Sequence, residues 1–173
     1  MIAERFKQIQ MVLLDVDGVL TAGEIIYGDS GEQFKIFDVK DGVGIRMLKA
    51  AGIHVGIVTG RSGAALRHRC TNLGIDLIFD GVRNKVQALD QALARTGVTA
   101  AATAFVGDDL PDLAIMKKVG LAVAVADAHE AVQGVAHLIT RARGGHGAVR
   151  EVSDAVLKAQ GRWDELIQKL FHG

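Results

Sequence analysis

Short apolar segments alternate with helical patterns along most of the chain, and this alternation constrains the fold more than any other feature. The apolar segments predict strands over residues 11–16, 54–59, 76–79, 104–107, 121–125 and 137–140. Helices are predicted between them, over residues 43–51, 63–73, 85–96, 111–119 and 128–135. Such alternation is typical of an α/β domain in which helices cover both faces of a parallel sheet. The whole chain, residues 1–173, is expected to form one domain.

Residues 24–38 break this alternation, and their sequence E-I-I-Y-G-D-S-G-E-Q-F-K-I-F-D predicts a β-hairpin with its turn at residues 28–31. A lone hairpin is only marginally stable, and this one carries the apolar residues Ile25, Ile26, Phe34, Ile36 and Phe37. These side chains either pack on the core or meet the same hairpin in other subunits, and we favour the second arrangement.

The C-terminal part of the chain predicts a helical tail over residues 146–173, with two apolar stripes at helical spacing. Before the tail lies the glycine-rich, basic segment R-A-R-G-G-H-G-A-V-R, residues 141–150. This segment is either a solvated linker or a loop that covers an anionic ligand, and the linker is the favoured interpretation.

Charge and cysteine content exclude several classes of protein. The chain has 20 Lys and Arg residues and 20 Asp and Glu residues, which argues against general binding to nucleic acid or to an anionic membrane. Its one cysteine, Cys70, allows no intramolecular disulfide and argues against a thiolate metal site. The N-terminus lacks the apolar core of a signal peptide, and no run of apolar residues is long enough to span a membrane. A cytoplasmic protein is therefore expected.

Polar residues that suit phosphoryl transfer follow the predicted strands at their carboxyl ends. The octet L-L-D-V-D-G-V-L ends a strand with Asp15 and Asp17, which point to the same side because strand side chains alternate. Later segments add Thr59, Lys85, Asp108, Asp109 and Asp112. Each residue alone has a simpler explanation, such as a turn, a helix cap or a solvated lysine.

The joint placement of these residues favours a catalytic site. The carboxyl ends of the strands in an open α/β sheet meet at one crevice, so several carboxylates, a lysine and a hydroxyl are expected there together. Carboxylates bind Mg²⁺, lysine and hydroxyl groups hold phosphoryl oxygens, and an aspartate can act as a nucleophile.

These motifs, in this order, resemble those of the haloacid dehalogenase (HAD) superfamily of aspartate-dependent phosphatases. The resemblance implies a Rossmann-like, HAD-like sheet in which Asp15 is the nucleophile and Asp17 acts first as general acid and then as general base. It also implies that Mg²⁺ is bound by Asp15, Asp108 and the backbone carbonyl of Asp17. Thr59 and Lys85 would hold the phosphoryl oxygens.

The resemblance further implies positions for the remaining acidic residues and a domain without a cap. Asp109 and Asp112 are expected just outside the metal ligands, with Asp112 orienting Lys85 or a metal-bound water. Between Gly18 and Thr59 there is room only for the hairpin and one helix, so no cap domain is inserted. Members without a cap leave the site open, and a neighbouring subunit often closes it, which agrees with the hairpin prediction.

A narrower resemblance is carried by F-D-V-K-D-G-V-G-I-R, I-V-T-G-R, R-C-T-N-L-G-I, G-D-D-L and G-G-H-G-A-V-R-E-V. These segments resemble the 3-deoxy-D-manno-octulosonate 8-phosphate phosphatase family, whose members are capless homotetramers in lipopolysaccharide precursor synthesis. Arginine suits a phosphorylated sugar acid, because guanidinium pairs bidentately with carboxylate or phosphate. The resemblance implies substrate contacts, partly across a subunit boundary, from Asp17, Asp38, Val39, Lys40, Asp41, Gly42, Arg46, Arg61, Arg69 and Lys85.

Three alternatives stay open on the sequence alone. The substrate could be another sugar-acid phosphate, such as a nonulosonate 9-phosphate. The chain could be a non-catalytic HAD-like oligomerisation domain, although such a domain has no physical need for clustered carboxylates. A phospho-receiver module would place its acceptor at the third strand, where Asp80 lies, but Thr59 precedes that position in the chain.

Overall fold

The computed structural model describes residues 2–171. Its strands are β1 Met11–Leu14, β2 Ile26–Gly28, β3 Gly31–Phe34, β4 His54–Val58, β5 Leu77–Phe79, β6 Thr103–Gly107, β7 Leu121–Ala124 and β8 Leu138–Ile139. Within the described range, six of them form a parallel sheet in the order β5-β4-β1-β6-β7-β8, and β2 pairs with β3 in an antiparallel ribbon. The predicted α/β architecture is confirmed, as are the strands of its sheet.

The helices are α1 Ile2–Gln8, α2 Val39–Ala50, α3 Ala64–Leu73, α4 Lys85–Thr96, α5 Leu113–Met116, α6 Glu130–Gln133, α7 Ala148–Ala159 and α8 Trp163–Phe171. α2 begins earlier than predicted because the Asp38 side chain caps it, accepting the Lys40 N–H at 2.7 Å. The helix predicted over residues 111–119 is a 3₁₀ turn, Leu110–Asp112, followed by the short α5. α1 was not predicted, because Phe6 is its one buried side chain and leaves no apolar stripe.

The centre of the sheet is apolar on both faces. All residues of β1, β6 and β7 are buried, as a parallel sheet covered on two sides requires. Within residues 2–171, no helix combines the length and the apolar character needed to cross a membrane. Polar side chains enter the buried region where the strands end, and those ends position the site described below.

The predicted hairpin is present and is largely exposed. β2 and β3 form it, and Tyr27, Phe34 and Ile36 are 66%, 64% and 73% exposed. Phe37 differs from these residues, because it is half-buried against the core and lies under the Arg69 guanidinium at 5.5 Å. In the protomer, therefore, Phe37 packs on the domain, whereas the side chains of Tyr27, Phe34 and Ile36 stay largely exposed. Pairing with other subunits stays a prediction.

The glycine-rich segment before the tail is a packed element, so the prediction of a solvated linker is wrong. The Gly145 N–H donates to the Val19 carbonyl at 2.9 Å, and the Gly144 N–H donates to Asp127 Oδ1 at 2.9 Å. A Cβ atom on Gly144 would lie 1.7 Å from the Gly18 carbonyl oxygen. Such close backbone contact is possible only with glycine at position 144, and it braces the loop after β1.

Asp41 joins two helices. It lies in α2, is 1% exposed, and its Oδ1 accepts the Arg150 N–H at 2.8 Å at the start of α7. Burial raises the pKa of Asp41 to about 6. The carboxylate thus caps a helix inside the protomer. Because it is buried there, we do not propose a substrate contact for Asp41.

The Asp41 geometry predicts a pH-dependent stability. The pKa of Asp41 is raised from 3.8 to about 6 in the folded chain, so folding favours the protonated form and stability falls as pH rises through this window. The free energy of unfolding of wild type, relative to Asp41→Asn, should decrease by roughly 2–3 kcal/mol between pH 4 and pH 7. Urea denaturation of both proteins across this range measures the difference. The exposed Asp90→Asn is the matched control, and parallel curves for wild type and Asp41→Asn would contradict the prediction.

Candidate active site

A cavity of about 500 Å³ opens at the carboxyl ends of β1, β4 and β6. Seven of the residues predicted from the sequence line it, and four further residues complete the wall. The lining residues are Asp15, Asp17, Thr59, Gly60, Arg61, Val82, Arg83, Lys85, Asp108, Asp109 and Pro111. Motifs that are far apart in the sequence therefore meet at one edge of the sheet, as predicted.

Lys85 links two carboxylates at the base of this cavity. It begins α4, where Asn84 caps the helix, and its ammonium lies 2.7 Å from Asp15 Oδ2 and 2.6 Å from Asp112 Oδ1. Asp15 Oδ1 in turn accepts the Val16 N–H at 2.7 Å. All three side chains are buried, so each is held by partners that water cannot readily replace.

Asp108 approaches the loop after β1 because position 18 is glycine. Gly18 has a φ of 87°, and a Cβ atom there would lie 2.0 Å from Asp108 Oδ2. Asp112 Oδ2 accepts the Asp108 N–H at 2.9 Å and the Asp109 N–H at 3.4 Å, which fixes the turn after β6. Asp109 itself caps the following 3₁₀ turn by accepting the Leu110 N–H at 2.8 Å.

Burial and crowding perturb the acidic groups. Burial raises the pKa of Asp15 to about 6, against the lowering effect of Lys85. Burial, together with the charges of Asp15 and Asp112, raises the pKa of Asp108 to about 7. Burial acts to lower the pKa of Lys85, but the neighbouring carboxylates outweigh it and the pKa is raised. The cluster thus carries more negative charge than one lysine balances.

The donor set fits a magnesium ion. One carboxylate oxygen each from Asp15, Asp108 and Asp112 lies within 4.8 Å of the others. Both Asp112 oxygens already accept hydrogen bonds, from Lys85 and from backbone N–H groups. Asp112 is therefore better suited to hold Lys85 and the turn after β6 in place than to bind the metal directly. Asp15 and Asp108 offer hard oxygen ligands, the type that Mg²⁺ prefers, and a dication would relieve their mutual repulsion.

Asp17 is held by Lys35, which was not among the predicted site residues. Its Oδ1 accepts a hydrogen bond from Lys35 Nζ at 2.5 Å, and its Oδ2 lies 3.8 Å from Arg61 Nε. Lys35 follows β3, and its side chain is only 2% exposed. A single lysine inside the apolar run F-K-I-F was the available signal, because a buried ammonium needs a carboxylate partner. Arg83, which lines the cavity, was also missed, although it stands two positions before Lys85.

Thr59 and Arg61 lie on the loop after β4. Thr59 is buried, and its Oγ1 accepts the Arg61 N–H at 3.4 Å. One Arg61 guanidinium nitrogen donates to the Tyr27 hydroxyl at 3.3 Å, so this loop also contacts the hairpin. Thr59 offers a hydroxyl donor and Arg61 a positive charge beside the carboxylates.

The remaining residues predicted to contact substrate lie elsewhere in the protomer. Val39, Gly42, Arg46 and Arg69 line a separate cavity of about 260 Å³ between α2 and α3. Arg46 donates to the Asn72 carbonyl at 3.3 Å, and Arg69 donates to the Asp38 carbonyl at 3.0 Å. Lys40 is exposed near the start of α2. Within one protomer, these residues do not share the cavity of Asp15.

The chain is similar over nearly its full length to proteins named as phosphatases. A family model of haloacid dehalogenase-like hydrolases matches residues 75–152. The 3-deoxy-D-manno-octulosonate 8-phosphate phosphatase of Escherichia coli K12 is 46% identical over 159 residues, which cover 92% of this chain and 85% of the relative.

Solved structures agree with this similarity. The enzyme of the same name from Moraxella catarrhalis, in complex with magnesium, phosphate and KDO, has a TM-score of 0.94 and 40% identity, with 97% of each chain covered. A cobalt-bound phosphatase from Haemophilus influenzae has a TM-score of 0.89 and 43% identity, covering 91% of this chain and 92% of that one. With this identity over this length, and with the predicted motifs gathered at one sheet edge, the chain belongs to the 3-deoxy-D-manno-octulosonate 8-phosphate phosphatase family of haloacid dehalogenase-like hydrolases.

Proposed function

We propose that the chain is a Mg²⁺-dependent phosphatase that hydrolyses 3-deoxy-D-manno-octulosonate 8-phosphate to the free sugar acid and phosphate. The observation that carries the proposal is the cluster of buried Asp15, Lys85 and Asp112 with half-buried Asp108, beside Asp17. The named relatives, which are similar over nearly the whole chain, support this substrate. The reaction would belong to lipopolysaccharide precursor synthesis in the cytoplasm.

In the proposed mechanism Asp15 is the nucleophile. One Asp15 oxygen forms a bond to phosphorus while the bond from phosphorus to the sugar oxygen breaks, and Asp17 gives that oxygen its proton. Water then attacks the aspartyl-phosphate and passes a proton to Asp17, and the bond between Asp15 and phosphorus breaks. Asp17 thereby returns to its protonated form, and phosphate leaves.

Other residues support this chemistry without bond changes. Lys85 and Thr59 would donate hydrogen bonds to the phosphoryl oxygens, and Asp112 fixes Lys85 through the 2.6 Å contact. Mg²⁺, bound by Asp15, Asp108 and the Asp17 carbonyl, would neutralise charge that develops on the phosphoryl group. Asp109 would support the turn that carries Asp108.

The sugar acid would be recognised by basic residues outside the phosphoryl site. Arg61 and Arg83 line the same cavity as Asp15. Arg46, Arg69 and the neighbouring residues Asp38, Val39, Lys40 and Gly42 would reach the substrate from a second subunit. Within residues 2–171, the hydrogen bonds given by Arg46 and Arg69 go to the neutral groups of Asn72 and to the Asp38 carbonyl, so both guanidinium groups suit a carboxylate ligand. A nonulosonate 9-phosphate would offer similar groups and is the alternative substrate.

The non-catalytic oligomerisation domain is disfavoured by the energetics of the cluster. Raised pKa values at Asp15 and Asp108 mean that folding works against their charges. A chain without catalytic function would have no reason to keep them together, and their presence supports an enzyme.

Asp15→Asn should reduce phosphatase turnover below detection while leaving the fold intact. An amide cannot form the covalent phosphoenzyme, but it keeps the shape of the side chain and can still accept the Val16 N–H. Hydrolysis assays and thermal melting measure the two effects, with Asp90→Asn as control. A wild-type rate in Asp15→Asn would refute the mechanism.

Removal of divalent ions with EDTA should abolish activity, and excess Mg²⁺ should restore it. Mg²⁺ should also raise the melting temperature, because a ligand that binds only the folded state stabilises it by about 2.7 kcal/mol at 100 times its dissociation constant. Asp108→Asn should lose this thermal shift, whereas Asp90→Asn should keep it. Activity that is insensitive to EDTA would count against the metal site.

We also propose that the chain assembles as a homotetramer through its hairpin. The exposed Phe34 and Ile36 are unfavourable in water, which supports a covered position in the assembly. Such an assembly would bring a second subunit's Arg46, on α2, and Arg69, on α3, toward the open cavity.

Replacement of Phe34 and Ile36 together by serine should lower the oligomer mass measured by light scattering. These residues are better probes than Phe37, which also contributes to the core. Leu170→Ser, at an exposed apolar position on α8, is the control and should leave the mass unchanged. An identical mass for the double variant and wild type would contradict the assembly proposal.

A further inference from the structure

Lys35 is a buried cation in a segment whose neighbours are exposed. Its side chain is 2% exposed, whereas Phe34 and Ile36 on either side are 64% and 73% exposed. Stability in a single protomer favours the opposite arrangement, with the apolar side chains inside and the lysine in water. Moving an ammonium out of water is unfavourable unless a close anion compensates for it.

That anion is Asp17, the carboxylate that follows the nucleophile by two positions. Lys35 Nζ lies 2.5 Å from Asp17 Oδ1. The contact crosses 18 positions of the sequence and connects the hairpin to the loop after β1. Among residues 2–171, buried Asp17 Oδ2 has no hydrogen-bond partner, and Arg61 Nε lies 3.8 Å from it. The two oxygens of one carboxylate therefore have different surroundings.

We propose that Lys35 is a positioning residue for proton transfer by Asp17. By holding Oδ1, Lys35 fixes the rotation of the carboxyl group and leaves Oδ2, which is buried and has no hydrogen-bond partner among residues 2–171, as the oxygen that exchanges the proton. In the first step the proton moves from Oδ2 to the sugar oxygen as Asp15 bonds to phosphorus and the bond from phosphorus to the sugar oxygen breaks. In the second step water gives a proton to Oδ2 as the water oxygen bonds to phosphorus and the bond between Asp15 and phosphorus breaks. This inference rests on the proposed phosphatase function.

The arrangement has a consequence that depends on the leaving group. An alkoxide, such as the C8 oxygen of the sugar acid, is a poor leaving group and needs a proton as it departs. A p-nitrophenolate ion departs without one. Loss of Lys35 should therefore reduce kcat/KM for an alkyl phosphate much more than for p-nitrophenyl phosphate, because kcat/KM reports the steps up to the first bond cleavage.

The experiment compares wild type, Lys35→Met and Lys35→Arg on both esters. Lys35→Met keeps most of the side-chain volume but removes the donor, and kcat/KM should fall about 100-fold for the sugar-acid phosphate and only a few-fold for the aryl ester. Lys35→Arg should restore most of the loss, because it again offers a cationic donor to Oδ1. Lys118→Met, at an exposed lysine after α5, is the matched control and should behave as wild type on both esters.

A second comparison guards against a purely structural effect. In an Asp17→Asn background, Lys35→Met should change kcat/KM for the two esters by the same factor, since no proton donor remains to be positioned. Equal losses on both esters in the single Lys35→Met variant, or no rescue by arginine in a protein that melts as wild type does, would overturn the proposal.

Failure of the proposed function gives a different result. If wild type hydrolyses other alkyl phosphates but not the octulosonate ester, the substrate proposal is wrong, and the Lys35 comparison is made with the accepted alkyl ester. If wild type hydrolyses neither ester class in Mg²⁺, the phosphatase proposal is refuted and the role of Lys35 with it.

Discussion

The arrangement of this molecule depends on one electrostatic constraint, which is the crowding of carboxylates at the end of a buried parallel sheet. Asp15, Asp108 and Asp112 lie close together, and the single ammonium of Lys85 bridges two of them. Burial raises the pKa of Asp15 and of Asp108, which means that their negative charges are unfavourable in the folded chain. A bound dication would stabilise those charges. The glycine at position 18 and the capped turn at Asp109 follow from the need to bring these groups together. The same repulsion between carboxylates that opposes folding favours the binding of a metal ion and of a phosphoryl group beside it.

The sequence was sufficient to predict the sheet and the centre of the site. Asp15 and Asp17 both follow β1 and line the cavity, although the strand is shorter than predicted and ends at Leu14, and parallel topology brings Thr59, Lys85 and Asp108 to the same edge. These features are local patterns combined with one general rule about open sheets. The short helices α5 and α6 were predicted too long, because their ends are set by turns and caps around Asp109 and His129 that carry no periodic signal.

Contacts between distant segments could not be predicted in this way. Asp41 stands in a motif expected to bind substrate, yet the fold uses it to cap α7. Lys35 stands in an apolar strand-like segment, and only the folded chain brings it to Asp17. The basic glycine-rich segment has the composition of a linker, but its glycines allow a backbone approach that no sequence pattern reveals. In each case the partner is more than 15 residues away along the chain.

The packing of Gly144 and Gly145 against the Gly18 loop also determines how much of the chain the chemistry requires. The proposed metal ligands, nucleophile and proton donor all precede residue 113, but the backbone that supports the nucleophile's loop comes from a segment more than 30 residues later. A truncated chain that stops after the last acidic residue would contain every proposed ligand and proton donor, yet the peptide groups behind Gly18 would face solvent. The smallest unit that could act as a catalyst alone is therefore longer than the segment that contains the catalytic residues. Truncation from the C-terminus is limited by the packing of residues 144 and 145 as well as by the positions of the catalytic residues.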